Sequence, residues 1–461
     1  MTRADHVNAL KSLLGEDSVF ANDDVLSSYA SDWSAQPAQA PIAVVKPRAA
    51  GEVSTLLQYA TDQNAPITVQ GGRTGLAGGA VPKQGDIALS LERMNRILEI
   101  DPVAMTMTVE AGVTLEQVQT AASDAGMLFP LDLGARGSCM VGGNAATNAG
   151  GNRVVKYGAM RDLVLGLEAV LPTGECVGGM NAMVKNNAGF DLKHMFIGSE
   201  GVLGVITQLV LKLHPKASDT VVALCAANSF DALSGLLTHL RRTSKGAMSA
   251  FEVMWEDYFC AVTQTPQAGR ATFQEIYPFY AIIEFEGDDR ATLTAHVEEM
   301  LGTAAEDDLV ADVIVAQSLQ DNQDIWAIRD AIGDLMLEIK SVTAFDVSLP
   351  IKALGDFVDD ARALVAHTYP HTKFYAFGHL GDNNVHLAVG CAAETELHSI
   401  EDDVLQLVGA RGGSITGEHG VGVIKKDFLS YCRSEAEIAL MRTLKRAVDP
   451  AGILNPGRIF D

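Results

Sequence analysis

Three glycine-dense runs within about 140 residues constrain the fold of this 461-residue chain more than any other feature. They occupy residues 71–80, 141–151 and 186–204. Glycine lets a backbone approach a neighbouring group closely, because no Cβ atom intervenes. Short apolar segments flank the runs closely, which argues against a flexible linker. We therefore expect the three runs to form one long cradle for an extended cofactor.

The first run follows a β-α-β pattern, with strands at 40–45 and 67–70 and a helix between them. Its glycines allow backbone N–H groups to line a concave surface, which suits a phosphate or pyrophosphate. The spacing matches neither the Gly-x-Gly-x-x-Gly dinucleotide fingerprint nor the Walker loop. A glycine linker is the alternative, and the phosphate nest is favoured because the run carries only one charge.

Composition excludes several classes of function. The formal net charge of −24 makes the chain a poor partner for nucleic acid or anionic membranes. The six cysteines include no Cys-x-x-Cys pair, which suits a reduced, cytoplasmic compartment. No stretch approaches the ~20 apolar residues of a membrane span, and peripheral attachment to a membrane stays open. The length predicts two or three domains.

A second constraint is a pair of histidines around a Gly-Asp-Asn-Asn turn, followed later by a Glu-His pair. The turn predicts a hairpin in which His379 and His386 face each other. Together with Glu418 they form a plausible open metal site, and His419 is a spare base beside it. The alternative is two unrelated surface histidines and a glycine turn.

Taken together, 71–82, 130–151, 187–207, the hairpin and the closing 449–457 segment resemble the FAD-linked D-2-hydroxyacid dehydrogenases of the vanillyl-alcohol-oxidase superfamily. This resemblance implies an α+β fold with a PCMH-type FAD-binding domain at 1–219. It also implies a substrate-capping α+β domain with an antiparallel sheet at 220–400. Residues 401–461 would return to the flavin domain.

The resemblance also implies which residues hold FAD. No His or Cys lies in the first glycine loop, where some superfamily members attach the flavin, so we expect non-covalent FAD. The implied binding residues are Gly71, Gly72, Arg73, Thr74, Gly75, Ala77, Gly78, Gly79, Pro130, Asp132, Leu133, Gly134, Ser138, Gly142, Gly143, Asn144, Thr147, Asn148, Gly151, Ile206 and Asn455.

The predicted chemistry is oxidation of a D-2-hydroxy acid to the 2-oxo acid by hydride transfer to flavin N5. The metal, Zn²⁺ or alternatively Mn²⁺, would bind the substrate hydroxyl, and His419 would contact the substrate and remove its hydroxyl proton. Arg329 would bind the substrate carboxylate, as an Arg does at this place in the resembled family. A structural salt bridge with Asp330 or Asp334 is the alternative for Arg329.

Three positions depart from the relatives that oxidise the diacid 2-hydroxyglutarate. Those relatives have Thr, Lys and Asn where this chain has Gly333, Ala344 and Ala388. A second substrate carboxylate would lose these polar partners, and burying a charge unpaired is costly. We therefore expect a monocarboxylic substrate resembling D-lactate. The alternatives are 2-hydroxyglutarate and a role as a glycolate-oxidising subunit.

The resemblance further points to an electron-transfer flavoprotein or a quinone as the electron acceptor, and a homodimer is one option for the assembly.

The sequence leaves three rival functions open. A metallohydrolase would leave the glycine runs unexplained. A non-catalytic flavin-binding protein would hold flavin that no 2-hydroxy acid bleaches. An oxidase would use O₂ directly.

Overall fold

A computed structural model describes residues 1–264, 273–339 and 341–460 of the chain. These residues divide into two compact units. The first unit comprises residues 1–151, 158–216 and 418–460, and the second comprises residues 152–157 and 217–417. The predicted domain boundary at 219/220 lies close to the first major division, and the predicted boundary at 400/401 precedes the second.

Helices and strands alternate in both units. The helices are α1 (Arg3–Leu14), α2 (Asp23–Ser28), α3 (Ala50–Gln63), α4 (Leu115–Asp124), α5 (Val141–Thr147), α6 (Val154–Tyr157), α7 (Met160–Leu163), α8 (Lys193–Phe196), α9 (Phe230–Thr243), α10 (Glu256–Val262), α11 (Arg290–Glu306), α12 (Leu319–Asp330), α13 (Ile332–Glu338), α14 (Ile351–Thr368), α15 (Leu397–Ala410), α16 (Leu429–Cys432) and α17 (Glu435–Val448). The strands are β1 (Val19–Phe20), β2 (Ala43–Val45), β3 (Ile67–Gln70), β4 (Ile87–Ser90), β5 (Ile97–Asp101), β6 (Thr106–Glu110), β7 (Met127–Leu128), β8 (Val164–Val170), β9 (Cys176–Gly179), β10 (Val205–Lys212), β11 (His214–Pro215), β12 (Asp219–Ala227), β13 (Met248–Trp255), β14 (Phe279–Gly287), β15 (Asp312–Val315), β16 (Thr343–Ser348), β17 (Lys373–His379) and β18 (Asn384–Gly390).

The first unit contains two larger sheets. A four-stranded sheet has the order β1-β2-β4-β3, and β2, β4 and β3 run parallel. This is the β-α-β opening predicted from the sequence, with α3 as its crossover helix. A five-stranded antiparallel sheet has the order β5-β6-β10-β8-β9. A bridge between Ile67 and Leu454 attaches the C-terminal segment to the edge of the first sheet.

The second unit is built on a seven-stranded antiparallel sheet with the order β15-β12-β14-β13-β17-β18-β16. Every residue of β13 is buried, as expected for a strand inside a sheet that is covered on both faces. Helix α12 begins at a capping box formed by Ser318 and Asp321, and its last turn carries Arg329. The antiparallel sheet and its helices agree with the predicted α+β architecture.

Strands β17 and β18 form the hairpin that carries the two predicted metal-binding histidines. The turn begins one residue earlier than predicted, at residue 380. The register therefore pairs His379 with Asn384 and His386 with Phe377. The prediction that the two histidines are direct cross-strand partners is wrong. They are diagonal neighbours on one face of the hairpin, which still brings their long side chains into reach.

None of the helices formed by the described residues is long and apolar enough to cross a membrane.

Candidate active site

The first two glycine runs and the end of the third line one cavity in the first unit. His419 also lines this cavity, although its chemistry was predicted from a different motif. The residues from the predicted FAD set that line the cavity are Gly71, Gly72, Arg73, Thr74, Gly75, Ala77, Gly79, Gly142, Gly143, Asn144, Thr147, Ile206 and Asn455.

The cavity wall depends on glycine at specific positions. A Cβ atom on Gly72 would lie 2.0 Å from the backbone oxygen of Ser138, so the two loops approach too closely for any side chain. Gly75 and Gly143 differ, because a Cβ atom on either would meet no heavy atom within 4 Å. Backbone is therefore exposed towards the cavity at these two positions, which suits close approach by a phosphate-bearing cofactor.

Polar groups in the wall fit FAD. The side-chain oxygen of Asn144 is buried and has no hydrogen-bond partner among the described residues, so a bound ligand can satisfy it. Arg73 supplies positive charge, and its guanidinium carbon lies 4.2 Å from the centre of the Tyr29 ring. The Tyr29 hydroxyl donates to Glu92 at 2.5 Å, and Glu92 is paired with Lys46 at 2.8 Å.

The other residues of the predicted FAD set do not line this cavity, and several of them support its wall. Gly78 packs against Gln36 and Val423, and Asn148 accepts a hydrogen bond from the backbone N–H of Arg161. The residues in question are Gly78, Pro130, Asp132, Leu133, Gly134, Ser138, Asn148 and Gly151.

The third glycine run is also placed differently from the prediction. Most of residues 186–192 line a separate cavity, whereas Gly201 and Gly204 at the end of the run line the first cavity. Only the end of the third run therefore joins the first two runs in lining one cavity.

Glu200 is a cavity residue that the sequence motifs did not single out. Its carboxylate accepts hydrogen bonds from the backbone N–H groups of Val421 and Gly422, at 2.7 and 2.8 Å. Burial raises the pKa of Glu200, and these two hydrogen bonds oppose that rise. The side-chain nitrogen of Asn455 donates to the Glu200 backbone oxygen at 2.7 Å. Glu200 therefore holds the loop that directly follows His419.

The two hairpin histidines of the second unit come together as a pair that could hold a metal ion. Glu418, the third predicted ligand, directly follows Gly417 at the end of the second unit. The Nε2 atoms of the two histidines are 3.2 Å apart. Two nitrogens that each bind zinc at the usual distance, with a tetrahedral angle between them, would be roughly 3.3 Å apart. The imidazole positions thus fit a shared metal ion.

Arg329 forms an ion pair with Glu252, a partner that the sequence alternatives did not include. Its Nε donates to Glu252 at 3.0 Å, and the other carboxylate oxygen lies 2.6 Å from Nδ1 of His379. Burial opposes ionisation of Glu252, but the neighbouring His379 and Arg329 outweigh it and hold its pKa below the usual value.

A second buried carboxylate holds the residues that precede Glu418. Asp346 is fully buried in β16 and accepts hydrogen bonds from the Thr416 hydroxyl and the Gly417 backbone N–H, both at 3.2 Å. It also accepts one from the Asn384 side chain at 3.1 Å. The sequence motifs did not assign a role to Asp346 or Glu252. Each is a single acidic residue within a largely apolar strand, and this pattern could have identified both.

Comparisons with known proteins identify the family. The family model "FAD linked oxidases, C-terminal domain" matches residues 216–459, and the model "FAD binding domain" matches residues 41–178. The first of these covers more than half of the chain. The predicted requirement for FAD is therefore confirmed at the level of the family.

Relatives align with nearly the whole chain. A D-2-hydroxyglutarate dehydrogenase of Xanthomonas citri pv. viticola is 37% identical, covering 95% of this chain and 93% of the relative. One of Stutzerimonas stutzeri is 33% identical over the full length of both. A putative mitochondrial D-lactate dehydrogenase of Schizosaccharomyces pombe is 34% identical, covering 98% of this chain and 89% of the relative.

Solved structures show the same fold at lower identity. p-Cresol methylhydroxylase aligns with a TM-score of 0.79 at 17% identity, covering 99% of this chain and 97% of that one. Alkyldihydroxyacetonephosphate synthase aligns with a TM-score of 0.77 at 20% identity, with coverage of 99% and 86%. The predicted PCMH-type FAD-binding fold is confirmed. The chain therefore belongs to the FAD-linked oxidases and, within them, to the FAD-dependent D-2-hydroxyacid dehydrogenase family.

Proposed function

We propose that this protein oxidises a monocarboxylic D-2-hydroxy acid to the 2-oxo acid, with FAD held non-covalently and a divalent metal held by His379, His386 and Glu418. The observation that carries the metal assignment is the 3.2 Å separation of the two imidazole Nε2 atoms in the second unit. When bound, FAD supplies a hydride acceptor and Zn²⁺, or Mn²⁺, supplies Lewis acidity.

His419 is the proposed general base. It lines the cofactor cavity and directly follows Glu418, so the chain places a base next to a metal ligand. Oxidation removes a hydride from C2 and a proton from the 2-hydroxyl. The proton goes to an imidazole nitrogen of His419, and Glu200 supports this step by holding the following loop.

Arg329 is the proposed anchor for the substrate carboxylate. Its Nε is engaged by Glu252, while its guanidinium lies over the Phe377 ring at 4.6 Å. The terminal Nη nitrogens can then donate to a carboxylate. A purely structural ion pair with Glu252 is the competing role, and loss of carboxylate affinity in Arg329→Lys would distinguish the two.

The surroundings of Arg329 favour an apolar substrate tail. Ile328 and Ala331, which flank Arg329 on α12 and just after it, belong to a buried apolar cluster. Ala388, where the diacid pattern has Asn, is 2% exposed and belongs to the same cluster. A second carboxylate placed there would be desolvated among apolar side chains.

D-2-Hydroxyglutarate is the second candidate substrate, because several relatives with 33–37% identity carry that name. Anaerobic bleaching of the flavin by a panel of acids separates the two. D-Lactate and D-2-hydroxy acids with longer apolar tails should bleach it fastest, and L-enantiomers should fail. Glycolate tests the remaining alternative. Preference for D-2-hydroxyglutarate would overturn the monocarboxylate proposal.

We further propose an electron-transfer flavoprotein or a quinone as the electron acceptor, and the cytoplasm as the compartment. The fate of the flavin electrons can be measured by anaerobic reoxidation with either carrier. Fast reoxidation by O₂ alone would contradict this part of the proposal. The homodimer and the option of peripheral membrane attachment stay predictions.

A further inference from the structure

Glu252 contacts both His379 and Arg329. The proposed function assigns the metal that binds the substrate hydroxyl to His379, and the substrate carboxylate to Arg329. Glu252 lies in β13 directly opposite His379 in β17, and it is fully buried. One carboxylate oxygen lies 2.6 Å from Nδ1 of His379, and the other lies 3.0 Å from Nε of Arg329. A buried carboxylate is costly unless it is paired, so both contacts are needed to keep this one charged.

The contact with Glu252 also determines which nitrogen of His379 faces the metal group. A carboxylate ion can only accept hydrogen bonds, so Nδ1 of His379 carries the hydrogen. The lone pair is then on Nε2, which is the atom 3.2 Å from His386. Metal-binding histidines commonly donate their other nitrogen to a carboxylate, which fixes the ring and raises its basicity.

We propose that Glu252 is a positioning residue that couples metal binding at His379 to carboxylate binding at Arg329. This inference rests on the proposed function, in which His379 holds the metal and Arg329 holds the substrate carboxylate. His379 and Arg329 share the single negative charge of Glu252, so a change in charge at one of them alters the electrostatic environment of the other.

The expected coupling is favourable. A cation at His379 makes its Nδ1–H a stronger donor and draws the Glu252 charge towards the imidazole. Arg329 is then less neutralised and attracts a substrate carboxylate more strongly. Conversely, a carboxylate on Arg329 leaves more of the Glu252 charge for His379. By linkage, each ligand must tighten the other by the same factor.

The test uses FAD-loaded protein stripped of metal, with Zn²⁺ and propionate as probes. Propionate has the carboxylate but lacks the hydroxyl, so it cannot be oxidised by the proposed reaction. Zn²⁺ affinity is measured by chelator competition with and without propionate. The variants are Glu252→Gln, His386→Ala and the matched control Glu284→Gln, which removes another buried, ion-paired carboxylate from the adjacent strand β14.

In the wild-type protein, propionate should tighten Zn²⁺ binding by about fivefold or more. Glu252→Gln should weaken Zn²⁺ binding by about 10- to 100-fold and abolish the effect of propionate. A Gln side chain has a single acceptor atom and no charge, so it cannot serve both partners. Glu284→Gln should keep wild-type Zn²⁺ affinity and the wild-type response to propionate.

The possible failures are distinguishable. If His386→Ala weakens Zn²⁺ binding but Glu252→Gln behaves as wild type, the coupling proposal is overturned and the metal site stands. If His386→Ala also binds Zn²⁺ as tightly as wild type, the metal site and the coupling are both overturned. Should Glu252→Gln fail to fold, Glu252→Asp keeps the charge but is one methylene shorter. Unchanged Zn²⁺ affinity and propionate response in that FAD-loaded variant would overturn the coupling.

Discussion

The guanidinium carbon of Arg73 lies 4.2 Å from the centre of the Tyr29 ring, so a residue far outside the glycine loop holds a cation in the cofactor cavity. Arg73 has a left-handed backbone, with φ of 56°, which is uncommon for a residue other than glycine. Tyr29 in turn donates to Glu92, and Lys46 also lies over the Tyr29 ring. The position of Arg73 therefore depends on a small charged cluster.

Replacing Tyr29 with Leu should weaken FAD binding. A cation–π contact contributes about 0.5–2 kcal/mol, so the dissociation constant for FAD should rise about 2- to 30-fold. Titration of the apoprotein with FAD, followed by flavin fluorescence, measures the change. Tyr59→Leu is the control, because Tyr59 contacts His6 and does not line the cavity. Equal losses in both variants would contradict this role for Tyr29.

The charged cluster also predicts a pH-dependent stability. Burial alone would raise the pKa of Glu92, but Lys46 and Tyr29 outweigh burial and hold this pKa below the usual value of 4.5 for a glutamate. A lowered folded-state pKa stabilises the protein above pH 4.5, and this stabilisation is lost as the pH falls through the folded value. Glu92→Gln should lower the free energy of unfolding by about 1 kcal/mol at pH 7. The difference from wild type should shrink in denaturant titrations below pH 4.5, and a constant difference would refute the assignment.

Two glycines in the first loop should respond differently to alanine. In Gly72→Ala the new Cβ atom would lie 2.0 Å from a backbone oxygen, and such overpacking costs about 1–3 kcal/mol. The apoprotein should melt at a lower temperature. Gly75→Ala meets no heavy atom within 4 Å and should melt like wild type while binding FAD more weakly. Equal melting temperatures for the two apoproteins would show that the close approach is not rigid.

His419→Ala should slow anaerobic reduction of the flavin by substrate about 10²- to 10⁴-fold, which is the range for a general base. FAD content should stay near wild type if the cavity tolerates the loss of one side chain. His371→Ala is the matched control, because that half-exposed histidine pairs with Glu396. A wild-type reduction rate in His419→Ala would assign the base to another residue.

Chelation should separate the metal from the flavin. EDTA treatment should remove turnover and leave FAD bound, and added Zn²⁺ or Mn²⁺ should restore turnover. In His386→Ala the added metal should restore little, because a ligand is missing. Metal analysis should confirm that the EDTA-treated protein is free of metal. Full turnover by that protein would show that the reaction does not need the metal.

Local motifs predicted the parts of the site that lie within one segment, such as the loop from Gly71 to Gly79. Local motifs did not predict the contacts that depend on how separate strands pair and pack. The pairing of His379 depends on where the hairpin turn begins, and a shift of one residue changes every cross-strand partner. Glu252 lies 127 residues before His379, so no sequence spacing connects the two. Only the strand order of the second unit makes them neighbours.

The discontinuity of the first unit has a consequence for its biosynthesis. Asn455, which lines the FAD cavity, accepts a hydrogen bond from the backbone N–H of Val69 at 2.8 Å, and Ile67 bridges Leu454. A ribosome must therefore translate all of residues 217–417 before the cavity wall can close. The flavin-binding unit is therefore incomplete until its C-terminal segment has been translated. We expect FAD to bind late in the maturation of the protein.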